Sequence, residues 1–335
     1  MFQEAAQAPA VVRAQLSANA ARLERLGERL RAAPPRAIVT CARGSSDHAS
    51  TFARYLIETR LGVLTSSAAP SVSSVYAAAP DLSGTVMLAI SQSGASPDLL
   101  AAVGSARERG ARIVALVNAE SSPLAQLADD LVPLGAGAER SVAATKSFIA
   151  SLTAIVQLVA AWACDAHLAQ ALAAAPELLA QAWELDWSAA VERLRPARNM
   201  YVVARGPGLG VAQEAALKFK ETCALHAEAI SAAELRHGPI ALVSAGFPVL
   251  LFAQQDETHA GNAQLAADLV TRGALVLMVG ATSAGATPLP SPRAPSVIEP
   301  LLFVQSFYRM VNALALARGG DPDRPPHLSK VTETV

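Results

Sequence analysis

Three groups of residues in this chain have types and spacings suited to chemistry. The run VAQEAALKFKETCALHAE contains no Gly or Pro and is expected to be helical, with Glu214, Lys218 and Glu221 on one face at i, i+4 and i+7. Ala212, Ala215, Ala216, Phe219 and Cys223 make the apolar side. On an arbitrary helix such a stripe is solvated and gains a favourable i,i+4 pair. At a ligand crevice, Glu214 and Lys218 would orient each other and leave Glu221 to shuttle a proton. His237 follows in Glu234-Leu235-Arg236-His237-Gly238-Pro239, where Gly-Pro fixes the backbone around a side chain that elsewhere is ordinary polar surface. The third group is the turn Ser91-Gln92-Ser93-Gly94-Ala95-Ser96-Pro97-Asp98. Ser96 suits an N-cap and Pro97 the first helical position. Hydroxyls of Ser91, Ser93 and Ser96, with N–H groups at the helix's positive end, form a cradle for an anion. The turn alone is equally well read as a capped helix start without a ligand.

The elements that must position these residues follow from a self-match. Ala42-Arg43-Gly44 recurs as Ala204-Arg205-Gly206, at an offset of 162 residues and each time after an apolar run. At the same offset VMLAI (86–90) falls on PVLLF (248–252), and RIVALV (112–117) on ALVLMV (274–279). Three strand-like runs in register argue for tandem duplication. Runs rich in Val, Ile and Leu without alternation suit parallel strands covered on both faces, and the intervening patterns suit right-handed helical crossovers. Each half therefore reads strand, helix, strand, helix, strand. The expected fold class is α/β, with two tandem doubly wound parallel-sheet domains of flavodoxin-like type, over 31–165 and 191–318. A helical segment (1–30, helix over 16–31) precedes them, a helical connector with Trp183 and Trp187 (166–190) joins them, and a Pro-rich tail (319–335) closes the chain. Ligands in such sheets sit at the carboxyl ends of strands, where the Ala-Arg-Gly and serine-rich turns both lie. Ser45 and Ser46 add hydroxyls there. The second copy has Ala253-Gln254-Gln255-Asp256-Glu257 in place of the serines, and its acids would repel an anion.

Composition removes other classes. Hydrophobic residues make 52% and charged ones 16% of 335, as in a core-rich globular chain. Lys+Arg 27 against Asp+Glu 28 leaves net −1, so no global field attracts nucleic acid or anionic membrane. Cys41, Cys164 and Cys223 are far apart, which fits a reducing compartment better than a disulfide framework. The start has no basic and apolar signal pattern, and 148–164 reads as a buried core helix rather than a span; a cytoplasmic location is expected. His226-Ala227-Glu228 lacks the P-C-x-x-C that a zinc deaminase adds. The turn ARGSSDHA is no G-x-G-x-x-G, and Gly206-Pro207-Gly208-Leu209-Gly210 matches it only partly. No G-x-S-x-G elbow is present, and no cofactor is expected.

GSSDHA, SQSG-x-S, ERSVAATKSF, EAALKFKE, HAEAISAAELRHGP and HLSKVTETV occur in order along nearly the whole chain. Together they resemble the sugar isomerase (SIS) domain family, most closely the tandem-SIS isomerase half of glutamine–fructose-6-phosphate aminotransferase and the stand-alone SIS-type glucosamine-6-phosphate deaminases. The resemblance implies that Ser46, Ser91, Gln92, Ser93 and Ser96 hold a sugar phosphate, with Val142 as a backbone contact. It implies that Glu221 moves a proton between C1 and C2 of the open-chain sugar, beside Glu214 and Lys218. His237 would open the ring, supplied across a homodimer with shared active sites. Lys330, by itself an ordinary tail charge, would form an imine with the ketose, and Ser329 precedes it where the aminotransferase has alanine. Ala144 stands where that enzyme typically has serine.

The aminotransferase carries a cysteine nucleophile after Met1 and a glutaminase domain; here residue 2 is Phe2 and about 30 residues precede the first repeat. The expectation is therefore deamination of glucosamine 6-phosphate to fructose 6-phosphate and ammonia. Its rivals are a galactosamine- or fructosamine-6-phosphate enzyme, an aminotransferase module fed by a separate glutaminase, and a sugar-phosphate sensor without activity. Mere sensing would need only the serine turn, not Glu221, His237 and Lys330.

Overall fold

The computed structural model describes residues 1–78 and 80–330. Five parallel strands, β1 (Ile38–Cys41), β2 (Thr65–Ser67), β3 (Val86–Ser91), β4 (Arg112–Val117) and β5 (Asp130–Pro133), form a sheet of order β2-β1-β3-β4-β5. A second parallel sheet contains β6 (Asn199–Ala204), β7 (His226–Ser231), β8 (Pro248–Phe252), β9 (Leu275–Val279) and β10 (Thr287–Leu289), in the order β10-β9-β8-β6-β7. Read from its other edge, the second order repeats the first, as a doubly wound duplication requires. Every residue of β3 and of β8 is buried, because helices cover both faces and leave no solvent side for a polar alternation.

The offset of 162 residues persists through most of each copy. It sets the helix Ser45–Leu61 against Gly208–Cys223 and Pro97–Glu108 against His259–Thr271. It then shrinks to 157 at β5 and β10 and to 153 at the closing helices, Lys146–Ala163 and Glu299–Ala317, so the second copy is shortened after β9. In each copy the closing helix packs on the helix that follows the first strand. Lys146–Ala163 has the length and hydropathy of a membrane span, and 83% of it is buried within the protein.

Two details depart from the sequence reading. Each sheet has five strands, not three, because the added edge strands are short or carry little apolar signal; β2 is Thr-Ser-Ser and β7 is His-Ala-Glu-Ala-Ile-Ser. The expected helix over 211–228 ends at Cys223, where Ala224 takes the left-handed conformation (φ 47°) and its N–H bonds Phe219 O. His226–Ser231 pairs instead with β6, Asn199 facing His226, so ladder pairing overrides helix propensity in HAEAIS.

The chain divides into two compact units, neither contiguous in sequence. Among the described residues one, the β1–β5 unit, comprises 10–78, 80–139, 146–173 and 329–330; the other, the β6–β10 unit, comprises 1–9, 140–145 and 174–328. In the first, Leu99, Val103, Ile113 and Val117 belong to a core between sheet and helix. In the second, Val249, Leu251, Leu265 and Met278 do the same.

Candidate active site

In the β1–β5 unit the strand order reverses between β1 and β3, and both serine-bearing turns leave these two strands at their carboxyl ends. That crevice is where a doubly wound sheet binds ligands. Gly44 (φ 54°) turns the chain from β1 into the helix Ser45–Leu61, leaving Ser45 and Ser46 half-buried in its first turn. After β3, Ser91 is buried and its Oγ accepts the Gly94 N–H at 2.9 Å, so this serine also braces the turn. Ser93 Oγ accepts the Ala95 N–H at 3.4 Å. Gly94 is required on two counts: its φ is 62°, and a Cβ there would lie 2.2 Å from Ser122 Oγ. Ser96 and Pro97 take the N-cap and first helical positions, but the Ser96 hydroxyl makes no cap bond. Gln92 is half-buried beside them. Arg43 Nε donates to Asp98 Oδ2 at 2.7 Å, tying the first turn to the second helix. Asp98 is 1% exposed and Arg43 about half exposed, which places a guanidinium at a cradle that lacks a lysine.

The second copy shows how such a crevice is closed. Gln254 is 1% exposed, and its Oε1 lies 2.4 Å from where a Cβ on Gly208 would sit. Its amide therefore fills the space at the start of the helix Gly208–Cys223, while Asp256 accepts both the Thr258 N–H at 2.8 Å and the Thr258 hydroxyl at 2.6 Å.

The acidic stripe of that helix is not solvated. The side chains of Glu214 and Lys218 are 0% and 1% exposed, and only Glu221, at 20%, reaches the surface. Lys218 Nζ donates to Glu221 Oε2 at 2.7 Å and lies 3.3 Å from Glu214 Oε1. The Tyr308 hydroxyl donates to Glu214 Oε1 at 3.0 Å. Burial alone would push the Lys218 ammonium down, but Glu214 and then Glu221 outweigh it and hold lysine above its ordinary value. An ion pair this dry persists only with such full pairing.

His237 is exposed, in the turn after the short helix Ala232–Leu235, with its N–H bonded to Glu234 O at 2.9 Å. Gly238 beside it has φ 136°, a conformation that favours glycine. Val142, half-buried in the same β6–β10 unit, gives its N–H to Asp323 O at 3.3 Å. In the β1–β5 unit, Lys330 Nζ lies 3.7 Å from Glu139 Oε2, with side chains 27% and 0% exposed, and Ser329 is exposed. The ending Val331–Val335 lies outside the described residues.

Glu139, Tyr308 and the Arg43–Asp98 pair were not assigned roles by the sequence reasoning. Glu139 opens the ERSVAATKSF motif and accepts both the N–H and the hydroxyl of Ser147, the latter at 2.5 Å. A lone acid before a buried helix was its signal. Tyr308 carries none, since QSFYRM reads as core.

Two parallel sheets of one order, a serine-lined turn at a switch point and a buried carboxylate–lysine stripe define a duplicated doubly wound α/β protein. The SIS domain profile matches residues 33–161 and 193–291, and the chain belongs to the SIS domain family. A crystal structure of a candidate phosphosugar isomerase from Silicibacter pomeroyi DSS-3 is 42% identical, with TM-score 0.92 over 96% of this chain and 99% of that one. The glutamine–fructose-6-phosphate aminotransferase (isomerizing) of Aeropyrum pernix is 37% identical over 314 residues, 87% of this chain and 50% of that protein. The C-terminal domain of glucosamine-fructose-6-phosphate aminotransferase from Francisella tularensis shares the fold, at 24% identity and TM-score 0.87 over 97% of this chain and 98% of that one. The chain spans about half the length of the curated relatives it matches.

Proposed function

We propose that the protein is an amino-sugar phosphate deaminase/isomerase, converting glucosamine 6-phosphate and water to fructose 6-phosphate and ammonia. The observation that carries this reading is the buried Glu214–Lys218–Glu221 stripe, in which one carboxylate alone reaches the surface. Such a carboxylate, hydrogen-bonded by its lysine at 2.7 Å, suits proton transfer between adjacent carbons. The phosphate would take hydroxyls of Ser46, Ser93 and Ser96, Gln92, and N–H groups at the helix starts. His237 would pass the proton that opens the ring. Glu221 then takes the C2 proton of the open-chain aldose while the substrate's C2 ammonium gives a proton to O1, leaving a neutral enolamine, and Glu221 returns its proton to C1, giving a C2 iminium. The Lys330 amine adds at C2 and ammonia leaves with the original C–N electron pair; water cleaves the lysine imine and frees the ketose. The buried Glu139 carboxylate, 3.7 Å from Lys330 Nζ, supports this role by fixing where that nitrogen stands. The exposure of His237 supports a homodimer, a second copy being what would receive that side chain.

The test is ammonia release by the purified protein from glucosamine 6-phosphate, beside Glu221→Gln. Loss of about 10²–10⁴ in kcat, with sugar-phosphate binding retained, is expected; a fully active variant removes Glu221 from the reaction.

A second reading is favoured by the relatives themselves: an isomerase module that works with a glutaminase supplied elsewhere. It predicts that an added glutaminase and glutamine accelerate glucosamine 6-phosphate formation beyond the rate with free ammonia. The deaminase reading predicts no acceleration.

A further inference from the structure

The helix Glu299–Ala317 brings one polar atom to the acidic stripe. Tyr308 is fully buried, and its hydroxyl meets Glu214, itself 0% exposed. Packing does not call for a hydroxyl there: Phe303 and Phe307 on the same helix are fully buried phenylalanines. A buried tyrosine O–H needs an acceptor, and this one has a carboxylate that water does not reach.

The distances show what the bond does. Glu214 Oε1 accepts the Tyr308 hydroxyl's hydrogen bond at 3.0 Å and stands 3.3 Å from Lys218 Nζ, whereas Lys218 Nζ sits 2.7 Å from Glu221 Oε2. Two carboxylates share this ammonium, one of them in a dry interior. A donor on Glu214 lets that carboxylate stay ionised without drawing the lysine fully to itself. We propose that Tyr308 is a positioning residue for proton transfer: its hydroxyl holds Glu214 ionised, so that Lys218 leans to Glu221 and Glu221 remains a carboxylate base. This inference rests on the reading of Glu221 as the proton carrier.

The charged and titratable groups named below, on the elements packed against the helix Gly208–Cys223 and on that helix itself, make other contacts or face solvent. On the Glu299–Ala317 helix, Arg309 bonds Trp183 O and Glu184, and Glu299 at the far end accepts the Gln255 N–H. Just past that helix, Arg318 bonds the carbonyls of Cys223, Arg195 and Ala197. On β6, Tyr201 bonds Pro239 O at 3.3 Å. On β7, His226 and Glu228 are exposed. On the stripe's own helix Lys220 is exposed, and the Cys223 thiol bonds Val311 O at 3.6 Å. Glu214 and then Glu221 raise Lys218 against the effect of its burial.

Without the hydroxyl the cluster takes up a proton more readily, and both destinations weaken the base. A proton on Glu221 removes it, and a proton on Glu214 leaves Glu221 neutralised by an undivided lysine. The sites titrate as a unit, so the sign is the same.

The experiment is the pH profile of kcat/KM for ammonia release from glucosamine 6-phosphate in the whole protein and in Tyr308→Phe, which keeps the ring and hence the packing. The acid limb should move up by about one pH unit. In a Glu214→Gln background the same substitution should add no shift. An unmoved limb in Tyr308→Phe, or an equal shift in the Glu214→Gln background, overturns the proposal. If the unaltered protein releases no ammonia, the reaction is wrong and the proton-holding role is still decided by carboxyl ¹³C titration of selectively labelled glutamates. Buried glutamate curves displaced upward in Tyr308→Phe support it, and superposed curves overturn it.

Discussion

Lys218 shows what a single side chain must satisfy before chemistry is considered. It lies between Glu214 and Glu221 at 1% exposure, so its loss strands two carboxylates, one of them fully buried. Lys218→Met is expected to cost about 3–5 kcal/mol, read as a fall in the midpoint of thermal or urea unfolding. Adding Glu214→Gln should restore part of it, since the most buried charge is then gone. The same pairing makes stability depend on alkaline pH. Glu214 and Glu221 hold the folded lysine above its ordinary 10.5 despite burial, so its contribution is complete below that value and fades as pH rises through the folded one. The unaltered protein should lose stability there, and Lys218→Met should lose less over the same range. The residue types and their i, i+4, i+7 spacing were legible in the chain. Their burial was not, because the covering residues, Tyr308 among them, lie about 90 positions away.

The turn that bears Ser91, Ser93 and Ser96 is held by a close approach, and the helix after it provides its own control. Gly94→Ala forces a Cβ to within 2.2 Å of Ser122 Oγ at a φ of 62°. The turn must shift, and the expected result is KM for the sugar phosphate raised about tenfold, with about 1–3 kcal/mol lost. Gly104→Ala, in the middle of the helix Pro97–Glu108, meets nothing within 4 Å and should stabilise by about 0.4–1 kcal/mol. Urea midpoints of the two variants separate these outcomes. Elements were legible where burial is continuous: β3 and β8 announced themselves as apolar runs. β2, with the pattern of one buried and two exposed residues, and β7, whose HAEAIS looked like the tail of a helix, were not. Edge strands owe their existence to a neighbour's hydrogen bonds, and one sequence segment does not display its neighbour.

For the molecule as a whole, thiol chemistry and the tail give two readouts. Burial pushes the thiols of Cys41 and Cys223 up to about 12 and about 11, whereas Cys164 is exposed. At pH 8 a disulfide reagent should titrate one thiol per native chain and three in denaturant; three in the native state would contradict the packing of both sheets. Deleting residues 325–335 removes Lys330, the partner of Glu139, and should abolish ammonia release; an undiminished rate excludes the tail from the reaction. The discontinuous units also carry a consequence for synthesis. Gln305 Nε2 donates to Ala5 O at 3.1 Å, 300 residues apart. On a ribosome adding about 5–20 residues per second, the first helical turn waits roughly 15–60 s for that partner. A nascent chain stalled anywhere before residue 305 therefore leaves the segment around Ala5 without this partner, an address for chaperones and proteases that the finished fold conceals.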